Sequence, residues 1–212
     1  VQGGTNYVES QAGIDGKGIY GHVLEGVYAT HPEFAARAPY RTTPFGVGNS
    51  SGSGHGNATA GEIYARGASP LYKGLMPFAQ SSYTNYSYVF NTNTRYSLTQ
   101  TLINPSGRYK TQIQTASWGY PRTLLYTSRS AEMDDIIFDL DLFVTQSQSN
   151  AGGTSQPRNS RSQAWSKNIT SVGGFRHRNN TNPSDDSPVL PLLSLPSRRL
   201  LLHTPICSTP LF

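Results

Sequence analysis

Apolar positions come in short bursts between stretches of Gly, Ser, Thr and Asn. Ile19 to Leu24 is a brief apolar run bounded by glycine, which predicts a buried strand. Glu25 stands at its end, followed by Gly26. Residues 1–18 and 35–54 are polar and glycine-rich and predict loop. From about His55 to Arg66, small residues run into Glu62-Ile63-Tyr64-Ala65 and predict the first strong helix. A strand is expected near Ser81–Tyr86 and a helix around Ser97–Ile103. Thr111 to Ser117 alternates imperfectly and predicts a strand ending at Trp118-Gly119. Ser130 is a candidate N-cap, with Glu132, Asp134 and Asp135 in the turns where negative charge is favoured. Met133, Ile136, Ile137 and Leu140 are spaced i, i+3, i+4, i+7, the signature of one buried helix face. Leu142-Phe143-Val144 opens a further strand that ends near Ser149-Asn150-Ala151-Gly152.

Strands alternating with helices predict an α/β fold: a mostly parallel central sheet with helices on both faces. In such folds active sites gather at the carboxyl ends of strands. Glu25, Trp118-Gly119 and Asn150 all fall at predicted strand ends. The last stretch is of another kind. All 21 glycines lie at or before Gly174. From Pro188 to Phe212 the chain is rich in Leu, Pro and Ser, and its prolines break any long helix or central strand. Residues 1–174 are therefore expected to form one, partial, catalytic-type domain. Residues 175–212 are expected to be an irregular tail, either a foreign reading frame or a linker.

Composition narrows the function. Charged residues make up only 14% of 212, whereas 13 Tyr, 8 Phe and 2 Trp argue against disorder over most of the length. That balance suits a compact, polar-surfaced, secreted or cell-surface protein. The net charge is +5, but the arginines are scattered without a basic run before residue 198, which argues against nucleic-acid binding. Cys207 is the single cysteine and excludes an internal disulfide. No apolar stretch reaches the roughly 18 residues that a membrane helix needs. The chain begins at Val1 without a signal peptide, as a processed or incomplete product would.

The candidate chemistry centres on Gly54-His55-Gly56-Asn57-Ala58-Thr59-Ala60-Gly61, a histidine at the first turn of a helix with small residues where that helix packs closely. A neutral imidazole there can act as a general base. The run resembles the histidine motif of subtilisin-like serine proteases. Gly18-Ile19-Tyr20-Gly21-His22-Val23-Leu24-Glu25-Gly26-Val27, followed by His31-Pro32, resembles the family's acid strand. The acid here is Glu25 in place of aspartate, and the spacing to His31-Pro32 is one residue short. Ala116-Ser117-Trp118-Gly119 resembles the segment whose backbone pairs with an extended substrate. Ser149-Asn150-Ala151-Gly152 resembles the family's Gly-Asn-Ser-Gly, and Ala164-Trp165-Ser166-Lys167-Asn168 to Val172-Gly173-Gly174 its next strand. The resemblance covers roughly residues 10–174.

It implies that His55 is the base, that Glu25 orients it, and that Asn150 donates to the oxyanion. Ser117, Trp118 and Gly119 would bind polypeptide substrate. Each has a plainer reading: a helix-capping histidine, a surface glutamate, a turn asparagine, a core tryptophan. Asp15 is the fallback acid, but it precedes the strand; His22 and His31 read as structural. No cofactor is implied. The family often carries structural calcium, but the sequence shows no clear ligands for it. The family's nucleophile follows Gly-Thr and precedes Met-Ala-x-Pro, whereas Gly153-Thr154-Ser155 continues Gln156-Pro157-Arg158. The expectation is a serine endopeptidase domain truncated before its serine, marginally folded because one sheet face lacks its helix. The rivals are a non-catalytic peptide-binding relative and a secreted structural protein. A carboxylate of Glu25 within reach of His55 would speak against the structural protein.

Overall fold

The computed structural model describes residues 10–34, 40–41, 53–66, 68, 73–90, 94–150, 159–176 and 182–188. Strands β1 (Tyr20–Val23), β2 (Tyr40–Arg41), β3 (Gln80–Tyr83), β4 (Ile113–Ala116), β6 (Phe143–Ser147) and β8 (Thr170–Val172) form one sheet in the order β2-β3-β1-β4-β6-β8. Every neighbouring pair is parallel. The three main helices are α1 (Ser53–Tyr64), α2 (Thr94–Ile103) and α3 (Ser128–Asp139). β2 lies inside a stretch that composition predicted as loop, and residues 10–12, also predicted as loop, are helical. The predicted strand near Ser81–Tyr86 is shorter: it ends at Tyr83 and passes into a 3-10 turn over Tyr86–Phe90.

Strand residues alternate between two faces. Register pairs His22 with Gln114 and Ser82, and Ala116 with Gln146, which fixes one face. There Leu24 and Ala116 pack with Leu98 and Leu102 of α2, while Val144 packs with Met133 and Ile136 of α3. On the other face Val23 and Tyr83 pack with Ala60 and Tyr64 of α1. The α/β fold with helices on both faces is thus present. On the face of α1, the β4–β6 half is only partly covered by described residues: Ile113, Thr115 and Thr145 are half-buried, and Phe143 is 45% exposed.

The N-terminus of α3 departs from expectation. Thr127, not Ser130, is the N-cap: its backbone is extended and its hydroxyl accepts from Arg129 N–H. Ser130 sits in the first turn, where its oxygen accepts from Thr127 N–H and its hydroxyl donates to Ser162 O at 2.7 Å. The two residues form a reciprocal capping box, with Thr127 as the cap and Ser130 three positions on. Within 175–212, Phe175–Arg176 (β9) and Ser187–Pro188 (β10) pair antiparallel, so this part of the predicted irregular tail is ordered into a ladder. Residues 189–212 lie outside the described residues. A second small antiparallel pair joins β5 (Arg122–Thr123) to β7 (Ser160–Arg161).

Candidate active site

The strand order places a reversal between β1 and β4. The chain leaves β1 toward β3 on one side and leaves β4 toward β6 on the other. Such a point opens a crevice beyond the carboxyl ends of the two strands. Glu25 follows β1, Ser117 to Gly119 follow β4, and Asn150 lies beyond the end of β6, the next strand along. Three segments of distant sequence thus leave neighbouring strands at one end of the sheet. Asp15, the fallback acid, precedes β1 and so lies toward its opposite end; its Oδ1 is taken by Lys17 N–H.

Glu25 is buried, at 2% exposed. Its Oε1 accepts from Ser117 N–H at 3.1 Å, so the segment after β4 holds one carboxylate oxygen. Its Oε2 lies 3.5 Å from His55 Nδ1, in the first turn of α1. That contact is within ion-pair range and long for a hydrogen bond, as such contacts often are without substrate. The His55 side chain is 60% exposed and open to an incoming group. Two features bring α1 this close. Asn57 Oδ1 accepts from Tyr28 N–H at 2.8 Å, tying the first turn to the chain beyond Glu25. Gly56 faces the Glu25-Gly26 backbone, where a Cβ would run into Gly26 O.

The hydrogen bond to Glu25 raises the His55 pKa above the usual imidazole value; burial opposes this, and the charges of Glu25 and Glu62 add to it. The sign then follows. A folded pKa above the unfolded value near 6.5 adds stability that is fully present below that pH and is lost as pH rises through the folded value. Base action runs the other way, because only neutral imidazole accepts a proton. In Glu25→Gln, which keeps an acceptor for Ser117 N–H but removes the charge, the His55 midpoint is expected to fall toward 6.5. An NMR titration of the imidazole Cε1–H reads this directly, and an unchanged midpoint would show that Glu25 does not govern His55.

The remaining predicted residues divide. Asn150 is exposed, and no described residue bonds its amide. Its loop is held two residues earlier, where Gln148 N–H donates to Val172 O and Gln148 O accepts from Arg161 N–H. Ala151, Gly152 and Ser155 lie outside the described residues. Trp118 is 8% exposed and packs with Leu98 and Leu102, stacked on Tyr86 at 5.4 Å. Any substrate contact it makes is therefore through backbone, and its carbonyl already accepts from Gln146 Nε2 at 2.5 Å. His22 is fully buried, with Nε2 2.9 Å from Thr84 Oγ1. Burial, helped by the Arg95 charge, pushes its pKa down to about 3, so it stays neutral. His31 is exposed and accepts from Glu33 N–H through Nδ1. Among the described residues no group of three or more His, Cys, Asp or Glu side chains could hold a metal ion, and no helix is long and apolar enough to cross a membrane. Sequence reading missed the Ser117 N–H bond to Glu25 and the Asn57 tether; the Asn57 signal was present, an Asx residue within the histidine run.

No protein-family profile matches the chain, and no curated protein does. Solved structures share its fold. The prenylagaramide maturation protease PagA superposes with a TM-score of 0.59 at 19% identity, covering 81% of this chain and 59% of that one. A psychrophilic protease gives 0.56 at 15% identity, over 88% and 64%. The subtilase cytotoxin SubAB gives 0.55 at 13% identity, over 82% and 60%. At these identities the likeness establishes the subtilisin-like α/β architecture. The chain spans about three-fifths of the length of these neighbours.

Proposed function

We propose that this chain carries the acid, base and oxyanion-donor parts of a subtilisin-type serine endopeptidase. The observation that carries the reading is the Glu25–His55 pair at the β1/β4 crevice, braced by Ser117 N–H. In the reaction a serine hydroxyl attacks a peptide carbonyl. His55 takes the hydroxyl proton and returns it to the leaving amine. Glu25 holds the imidazole by Nδ1 and stabilises its charged form. The Asn150 amide donates to the oxyanion. An extended polypeptide pairs with the backbone of Ser117 to Gly119 as an added strand. The serine is assigned to no residue of 1–212. The working place is secreted or cell-surface, and no cofactor is required.

The 3.5 Å approach of Glu25 to His55 counts against a purely structural protein. A non-catalytic peptide-binding relative is the second reading, because the Gly153-Thr154-Ser155 segment continues with Gln156-Pro157-Arg158.

The test is to translate the encoding DNA from codon 170 onward in all three frames and to express each continuation with residues 1–170. A fluorophosphonate probe then reports an activated serine. The expected result is one continuation that labels and cleaves an unfolded polypeptide, with both activities lost in His55→Ala. Labelling that survives His55→Ala would overturn the assignment of the base. If no continuation labels and the 212-residue chain still binds extended peptides, the non-catalytic reading replaces the enzyme.

A further inference from the structure

Arg161 stands where the proposed peptide strand and the Asn150 loop meet. Its backbone N–H donates to Gln148 O at 2.8 Å, two residues before Asn150. Its aliphatic stem lies on Gly119: a Cβ placed on that glycine would come 2.7 Å from Arg161 Cγ and 2.8 Å from its Cβ and Cδ. Glycine at 119 is thus what admits the arginine. Nη1 donates to Tyr120 O at 3.3 Å, and no other described residue accepts from the guanidinium. The β5–β7 register sets Arg122 directly opposite Arg161. Among the described residues no carboxylate lies within ion-pair range of either arginine.

Two cations opposed across an antiparallel pair destabilise it. The arrangement becomes favourable once an anion lies between them. A guanidinium fork takes a carboxylate in two parallel hydrogen bonds. Side chains of an extended peptide alternate in direction, so one laid along Ser117 to Gly119 presents particular positions to Arg161. We propose that Arg161, assisted by Arg122, is a specificity-determining residue that selects an Asp or Glu side chain in the extended peptide. The inference rests on the peptide-binding reading above and names its substrate class. The net charge of +5 favours encounter with acidic chains.

Fluorescein-labelled hexapeptides carrying Glu at each position in turn, matched with their Gln counterparts, test this on the 212-residue chain by anisotropy. At one position Glu is expected to bind about tenfold or more tighter than Gln, the scale of one hydrogen bond between charged groups. Arg161→Gln should erase that ratio while neutral peptides still bind. Arg161→Glu should turn the preference toward Lys at the same position, a gain that an unfolded variant could not produce. Equal binding of Glu and Gln peptides would overturn this inference and leave the peptidase reading intact. Failure of every peptide to bind would overturn the peptide-binding reading and this inference with it.

Discussion

Gly56→Val is expected to destabilise the domain by about 3 kcal/mol or more and to separate His55 from Glu25. A Cβ at Gly56 would run into Gly26 O and lie 3.1 Å from the Glu25 Cβ. The obstacle is backbone at the end of β1, which cannot swing aside as a side-chain tip can. Either the first turn of α1 lifts away or the Glu25-Gly26 corner shifts. Each route breaks the approach of His55 Nδ1 to Glu25 and strains the Asn57 bond to Tyr28 N–H. The control is Gly61→Ala in the same helix, where nothing lies within 4 Å of an added Cβ. There the gain in helix propensity should act alone and stabilise by about 1 kcal/mol. Urea melts of the two variants should therefore move in opposite directions. The His55 titration should fall toward its ordinary midpoint in Gly56→Val and stay put in Gly61→Ala. A valine at 56 that leaves both melt and titration unchanged would show that close packing does not set the dyad.

Asp134→Ala is expected to cost about 2–3 kcal/mol at neutral pH, discounted for the partial exposure of the carboxylate. Asp134 Oδ1 accepts from Ser166 Oγ and from Asn168 N–H, both at 2.6 Å. Its Oδ2 accepts from Lys167 N–H and from Tyr126 OH, both at 3.0 Å. One side chain on α3 thus gathers the chain that leads into β8. Burial alone would raise its pKa. The bonds from Lys167, Ser166, Asn168 and Tyr126 overcome this and hold it below the usual carboxylate range. A depressed folded pKa adds stability above the unfolded value near 3.9, and that stability is lost as pH falls through the folded one. The gap between wild type and Asp134→Ala should therefore be full at pH 7 and close in strong acid. Urea melts at pH 7, 4 and 2.5 check this, and a gap independent of pH would deny the carboxylate its role.

Short-range pattern made the fold class legible, and with it the positions of two candidate residues. A glycine-bounded apolar run predicts a short buried strand, which places Glu25 near its carboxyl end. A histidine opening a run of small residues predicts the first turn of a helix; α1 begins at Ser53. Alternating strands and helices implied a parallel sheet, and all six strands of the main sheet pair in parallel. Where two residues obey the same local rule, the sequence could not choose. Thr127 and Ser130 both suit a helix start; in the structure Thr127 takes the cap, and Ser130, inside the first turn, donates to Ser162 O, 32 residues away.

The sequence by itself determined where the candidate site residues stand: a histidine at a helix start, an acid and an asparagine at strand ends. It did so because those placements depend on neighbours a few residues away. The tertiary structure alone decided which of them meet. Ser117 N–H reaches Glu25 across 92 positions of chain, Trp118 turns into the core, and Arg161 lies on Gly119. Each of these contacts depends on strand order and register, and sheet pairing joins segments whose separation along the chain carries no local signal.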